Sequence, residues 1–157
     1  MTAMGIDFGV RRVAVATNDG EMVDEALFRT VPPGVENDVD AMDLIYRYVH
    51  DRVYYVRPQL VAIESPIQGH SANIKTGLRL AAVTGVLAVA CRHAGSSTVS
   101  VAPAEWKKAV TGHGDADKEQ VSKWLSDNRP DLFAACDSQD LVDATCMALY
   151  AQALLDR

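Results

Sequence analysis

The sequence predicts a mixed α/β protein built on a five-stranded sheet, its first three strands antiparallel and its last two parallel, flanked by helices. Three observations lead there. Residues 4–31 hold three short apolar or alternating runs separated by turn signals. Two later apolar runs, Leu60–Glu64 and Thr98–Ala102, have the length of strands rather than helices. Segments of helical period separate those later runs, and strands joined through helices run parallel by right-handed crossovers.

Taken in order, Met4–Phe8 is apolar around one acid, and Val13–Thr17 alternates Val and Ala. Asn18-Asp19-Gly20 is a turn signal, so Met22–Val31 predicts a third strand. Pro32-Pro33-Gly34 ends the sheet segment. Val39, Met42, Ile45, Tyr46, Val49 and Val53 then recur at helical spacing, with Asn37 or Asp38 as cap. Leu60–Glu64 reads as a buried parallel strand, ended by Ser65-Pro66. A long helix is predicted over Asn73–His93, stopped by Gly95, and a strand over Thr98–Ala102. Short helices follow at Ala104–Val110 and Lys118–Asp127, and Ser138–Leu155 forms the last helix.

At 157 residues the chain is expected to form a single domain over 1–157, with one core and no need of staples. Hydrophobic residues at 48% and charged residues at 23% are those of a soluble globular protein. Cys91, Cys136 and Cys146 are scattered, match no zinc spacing, and read as reduced thiols of a cytoplasmic protein. No signal peptide opens the chain. The longest uncharged apolar run, Leu80 to Cys91, falls short of the roughly 20 residues a bilayer needs, so no membrane partner is expected.

The formal net charge of −6 argues at first against nucleic acid. Its distribution says more. Residues 1–66 carry six basic and eleven acidic side chains, residues 67–129 eight and five, and residues 130–157 one and five. A cationic middle between acidic ends suits an enzyme that holds phosphates beside carboxylates, although such unevenness also arises by chance.

Four acids stand out by position. Asp7 lies in the apolar strand Gly5-Ile6-Asp7-Phe8-Gly9, and Glu64 ends the buried strand Leu60–Glu64. Asp140 and Asp143, three apart, share a face of the last helix. Ligands gather at the C-terminal ends of parallel strands, and a carboxylate in a buried strand is costly unless paired. Hard oxygen donors suit Mg2+ or Mn2+, and two such ions can clamp an in-line phosphoryl displacement. Each acid alone also has a structural reading. Asp7 fits an edge or turn, Glu64 a strand end, and Asp140 and Asp143 a first helical turn that complements the dipole.

Together these stretches resemble a family. Gly5-Ile6-Asp7-Phe8-Gly9, Ile63-Glu64 and Asp140-Leu141-Val142-Asp143-Ala144 are similar, in order and spacing, to the three acidic motifs of the RuvC Holliday-junction resolvases. Gly77 to Val89 resembles the long helix after that family's glutamate. Trp106 to Gly112 and Gly114 to Val121 resemble the segment carrying its functional lysines. The likeness runs from Met4 to about Ala151.

It implies a ribonuclease-H-like fold, with Asp7, Glu64, Asp140 and Asp143 ligating Mg2+ (or Mn2+), two ions per active site. Lys107 and Lys118 match the two active-site lysines, with Lys108 competing for the place of Lys107. The resemblance further implies a homodimer that resolves four-way junctions, and cuts forks, by paired phosphodiester cleavage in DNA recombination and repair. The length, acidity and divergence of the chain suggest a phage-type member.

The family commonly has an aromatic residue shortly after its glutamate, whereas residues 65–71 have none. The loop Gly69–Asn73 offers polar groups to DNA instead, or is plain surface. Trp106 and Trp124 read as core or interface anchors. None of His50, His70, His93 and His113 sits at metal-site spacing, and only His113 lies near a candidate residue. Small residues on the long helix (Ala81, Ala82, Gly85, Ala88) serve core packing or a dimer contact.

The first motif is also close to that of ribosomal-RNA-processing nucleases of the same fold. Two further alternatives are a non-catalytic junction-binding scaffold and a sugar-kinase/actin-type ATPase module. The last needs two such domains and a second phosphate loop, which this chain lacks.

Overall fold

Strand pairing begins with a hairpin. β1 (Ala3–Gly9) and β2 (Arg12–Asn18) pair antiparallel, with Asp7 opposite Ala14 and Gly9 opposite Arg12. The computed structural model describes residues 1–18, 26–66 and 74–157, with residues 26–30 described in backbone only. β3 (Ala26–Thr30) adds antiparallel to β2, and β4 (Leu60–Glu64) adds parallel to β1. β5 (Ser97–Val101) continues parallel to β4, so the sheet order is β3-β2-β1-β4-β5. The expected sheet of three antiparallel and two parallel strands is therefore found. The early part of the expected strand Met22–Val31 falls among residues 19–25, outside the described residues.

Six helices complete the described chain: α1 (Asp38–Val56), α2 (Ile74–His93), α3 (Pro103–Thr111), α4 (Lys118–Asn128), α5 (Pro130–Ala134) and α6 (Gln139–Leu155). Their starts follow local chemistry. The Asn37 side chain accepts from the Asp40 amide at 2.8 Å, and Asp117 and Gln120 form a reciprocal capping box. Ser138 accepts from the Leu141 amide at 3.3 Å. α1 stops at Arg57, whose left-handed φ of 55° precedes Pro58. α5 was not expected, because five residues after a proline are too few to display a period.

Strand alternation divides the side chains into two layers. Met4, Ile6, Val13, Val15, Val61 and Ile63 face α1 and α2, where Ile45, Val49, Val83 and Leu87 complete one core. Ala3, Ala62 and Val101 face α3, α4 and α6, with the fully buried Trp106 and Met147 in a second core. By the same alternation Asp7 and Glu64 belong to the α6 side, two residues beyond Gly5 and Ala62.

Gly5 sets how closely α6 can lie. A Cβ there would collide with the Ala144 carbonyl and sit 2.5 Å from the Ala148 amide nitrogen. Ala14, Ala16, Ala144 and Ala148 keep the rest of this contact equally thin. The helix is thereby pressed against β1 and β2, which brings its first two turns to the end of β1.

α2 is long and apolar enough to cross a bilayer by length and composition, which the shorter uncharged run Leu80–Cys91 did not indicate. Here it packs on α1, β4 and β5, burying Val83, Leu87, Ala90 and Cys91.

Candidate active site

β1 and β4 run parallel and in register up to Ile6 and Ile63. Asp7 and Glu64 each follow one position later, side by side on the α6 face at the C-terminal ends of neighbouring strands. α6 delivers Asp140 in its first turn and Asp143 one turn on. α3 contributes Trp106 and Lys107, and Lys118 opens α4. Asp7, Glu64, Asp140, Asp143, Lys107 and Lys118 all line one cleft, together with Arg12, Phe8 and Trp106. Six residues expected from the sequence, spread over five elements, are thus brought together. Lys108, the competitor for the place of Lys107, is exposed and does not line the cleft.

The electrostatics are those of crowded anions. The Asp7 carboxyl is pushed up to about 8, first by burial and then by the charges of Glu64, Asp143 and Asp140, against a smaller pull from Arg12. Burial also raises Glu64, opposed by the hydrogen bond from Trp106 and by the charges of Lys107 and Lys118. Asp143 is raised by burial as well, opposed by Gln139 and the same two lysines. Both ammonium groups therefore act on the acids.

Each of three acids is held by a neighbour. Trp106 Nε1 donates to Glu64 Oε2 at 2.9 Å, and Gln139 Nε2 donates to Asp143 Oδ1 at 2.9 Å. Arg12 Nε lies 3.4 Å from Asp140 Oδ2.

The donor set fits hard divalent cations: four carboxylates, no sulfur or imidazole, and too little resident positive charge to keep Asp7 ionised at neutral pH. Among the described residues, no three acids are yet drawn around one point.

Of the two roles expected for Trp106, core or interface anchor, the structure shows the core, with no exposed surface, and adds its indole N–H as the donor that orients Glu64. Arg12 and Gln139 were missed. The signal for Arg12 was its position opposite Gly9 in the hairpin, two residues from Ala14 on the acid-bearing face. His113 lies away from the cleft, beside Trp124 and Lys123 in a separate groove. The loop Gly69–Asn73 falls among residues 67–73, outside the described residues.

A mixed sheet in this strand order, with acids at adjoining strand ends and a third acidic element on the last helix, defines a ribonuclease-H-like protein. The chain belongs to the RuvC family: the family model for crossover junction endodeoxyribonuclease RuvC matches residues 3–150. It is 31% identical over 155 residues to crossover junction endodeoxyribonuclease RuvC of a Parafrankia species, covering 95% of this chain and 84% of that one. It is 34% identical over 161 residues to the same enzyme of Nocardia farcinica, covering 95% and 79%. In three dimensions it resembles Thermus thermophilus RuvC in complex with Holliday junction substrate, with a TM-score of 0.80 at 22% identity, covering 99% and 96% of the two chains.

Proposed function

We propose that this protein is a structure-specific endonuclease that resolves Holliday junctions, and cuts other branched DNA, by paired phosphodiester hydrolysis. The observation that carries this reading is the convergence of Asp7, Glu64, Asp140 and Asp143 with two lysines in one cleft, in a chain matched by the RuvC family model over residues 3–150. That match includes the later motifs, and so favours junction cleavage over the ribosomal-RNA-processing alternative raised by the first motif.

In this reading the four carboxylates hold Mg2+ (or Mn2+), two ions per site. Bound there, the ions would lower the pKa of the attacking water and neutralise the leaving oxygen. The residues of the chain do the rest. Lys107 and Lys118 offset the charge that accumulates on the phosphate in the transition state. Trp106 fixes the Glu64 carboxylate so that one oxygen stays directed at the cleft. Gln139 does the same for Asp143. Partial burial of the acids lowers the local dielectric, so these charges act more strongly than they would in bulk water.

A homodimer suits two opposed cuts in a two-fold junction. Its interface is assigned to the outer face of α1 and α2, where Val39, Tyr55, Ile74 and Leu78 are 75%, 81%, 82% and 68% exposed. A Cβ on Gly85 would meet nothing within 4 Å, which leaves α2 open to close approach. The buried, unpaired thiols of Cys91 and Cys146 suit a cytoplasmic enzyme.

The test is cleavage of a labelled four-way junction, a fork, a linear duplex and a structured RNA, each with Mg2+, Mn2+ or EDTA. Metal-dependent paired nicks in the junction that vanish in Asp7→Asn are expected. Cutting of RNA alone would move the protein to the RNA-processing relatives, and binding without any cutting would make it a scaffold.

A further inference from the structure

Arg12 lines two neighbouring pockets among the described residues. On one side it lines the acid cleft and pairs with Asp140 at 3.4 Å. On the other it lines a neighbouring pocket with Gly9, Val10, Arg11 and Arg79. Its side chain is 52% exposed, whereas that of Asp140 is 17% exposed, so the acid is held in place and the arginine is free to turn. Gly9, opposite Arg12 in the hairpin, supplies the room: a Cβ there would lie 3.1 Å from Arg12 Cγ and Nε.

Three arginines line the second pocket, and two of them are tied to neighbours. Arg79 is clamped by Asp38 through two bonds of 2.6 and 2.5 Å, and Arg11 donates to the Val35 carbonyl. Each guanidinium has five N–H donors, so both retain donors for an anion among the described residues. Arg11 and Lys75 both act on Asp38 by charge, which places several cations around this single carboxylate. A phosphodiester oxygen is the acceptor such a fork-bearing pocket takes.

We propose that Arg12 is the resident counter-cation of the acid cleft, and that a DNA phosphate in the Arg11–Arg79 pocket draws it off Asp140, so that DNA binding opens the site to divalent cations. The proposal rests on the nuclease reading above for its ligands. Without DNA, Arg12 competes with an incoming cation for Asp140. With DNA, the guanidinium exchanges one anion for another, and the acid is released at little cost. The coupling is reciprocal, so cations strengthen DNA binding by the same factor.

The experiment measures Ca2+ affinity of the full-length protein by calorimetry, with and without a saturating four-way junction that gel electrophoresis shows uncut. Wild type, Arg12→Gln, Arg12→Lys and Arg79→Gln are compared. Without DNA, Arg12→Gln should bind Ca2+ about threefold to tenfold more tightly than wild type, the range set by a half-exposed ion pair. Arg12→Lys should lie near wild type. DNA should raise the affinity of wild type by a factor at least threefold larger than that of Arg12→Gln, beyond any rise common to both. Arg79→Gln should keep the DNA-free value and lose part of the DNA-linked gain.

Equal Ca2+ affinity of wild type and Arg12→Gln without DNA would overturn the proposal, as would an identical DNA-linked gain in both. Cleavage by wild type in Mg2+, run in parallel, keeps the two readings apart. Normal junction cutting with no effect of Arg12 on Ca2+ sinks only the coupling, whereas Arg12-dependent Ca2+ binding without cutting sinks only the nuclease assignment.

Discussion

Replacing Asp7 by Asn should stabilise the metal-free protein while abolishing its cutting. Asp7 stands among three other acids, against a smaller pull from Arg12, and its carboxyl is pushed from 3.8 up to about 8. The sign follows from proton binding. The folded state holds the proton more tightly than the unfolded state, so the contribution is fully present below pH 3.8 and is lost as pH rises through about 8. At about 1.4 kcal/mol per tenfold change in proton affinity, the ceiling is about 6 kcal/mol. Because Asp7 faces a cleft that water enters, relaxation reduces the expected cost to about 2 kcal/mol. For 157 residues this corresponds to a Tm rise of about 4–8 °C in the variant.

The assay is thermal unfolding in EDTA from pH 4 to pH 9 for wild type and Asp7→Asn. The two curves should coincide near pH 4 and separate progressively up to about pH 8. Adding Mg2+ should then raise the Tm of wild type and raise that of the variant much less, since ligand binding stabilises only the state that holds it. A variant no more stable than wild type at pH 8, with the same response to Mg2+, would refute the argument that Asp7 is an uncompensated anion awaiting a cation.

Three further outcomes are expected. Trp106→Phe removes the donor to Glu64 from a fully buried position, at a cost of about 1–3 kcal/mol in chemical denaturation. Because that hydrogen bond favours the ionised carboxylate, the acidic limb of the pH–rate profile should also move to higher pH, and an unmoved limb would mean that the indole does not set the charge of Glu64. Gly5→Ala drives a methyl into the Ala144 carbonyl, so α6 must lift. A loss of about 1–3 kcal/mol is expected, with a disproportionate fall in kcat because Asp140 and Asp143 move with the helix. Leu78→Lys, at a position 68% exposed on α2, should turn a dimer into a monomer in sedimentation and make Tm independent of protein concentration; a dimer that survives would place the interface elsewhere.

Much of this protein was legible along the chain because the deciding signals were local. Strand alternation, the apolar run Leu60–Glu64 and the Asn37 cap depend on neighbours a few residues apart, and each was found where expected. The six acids and lysines came as a set because their local motifs resemble those of one family, and the cleft gathers the same six. Lys107 and Lys108 were indistinguishable in sequence. Only the rotation of α3 on α6 decides between them, by turning one into the cleft and the other to solvent.

The remaining decisions were tertiary. Trp106 and Glu64 are 42 positions apart, and Arg12 and Asp140 lie at opposite ends of the chain, so no period or spacing links them. Arg12 and Asp140 meet because Gly5 and four alanines let α6 lie almost on the sheet, a consequence of missing side-chain volume. From the chain alone came four candidate acids, two candidate lysines and the elements on which they stand, but not Arg12. How those charges are paired and how far burial perturbs them depend on distances and dielectric, which exist only once the layers have packed.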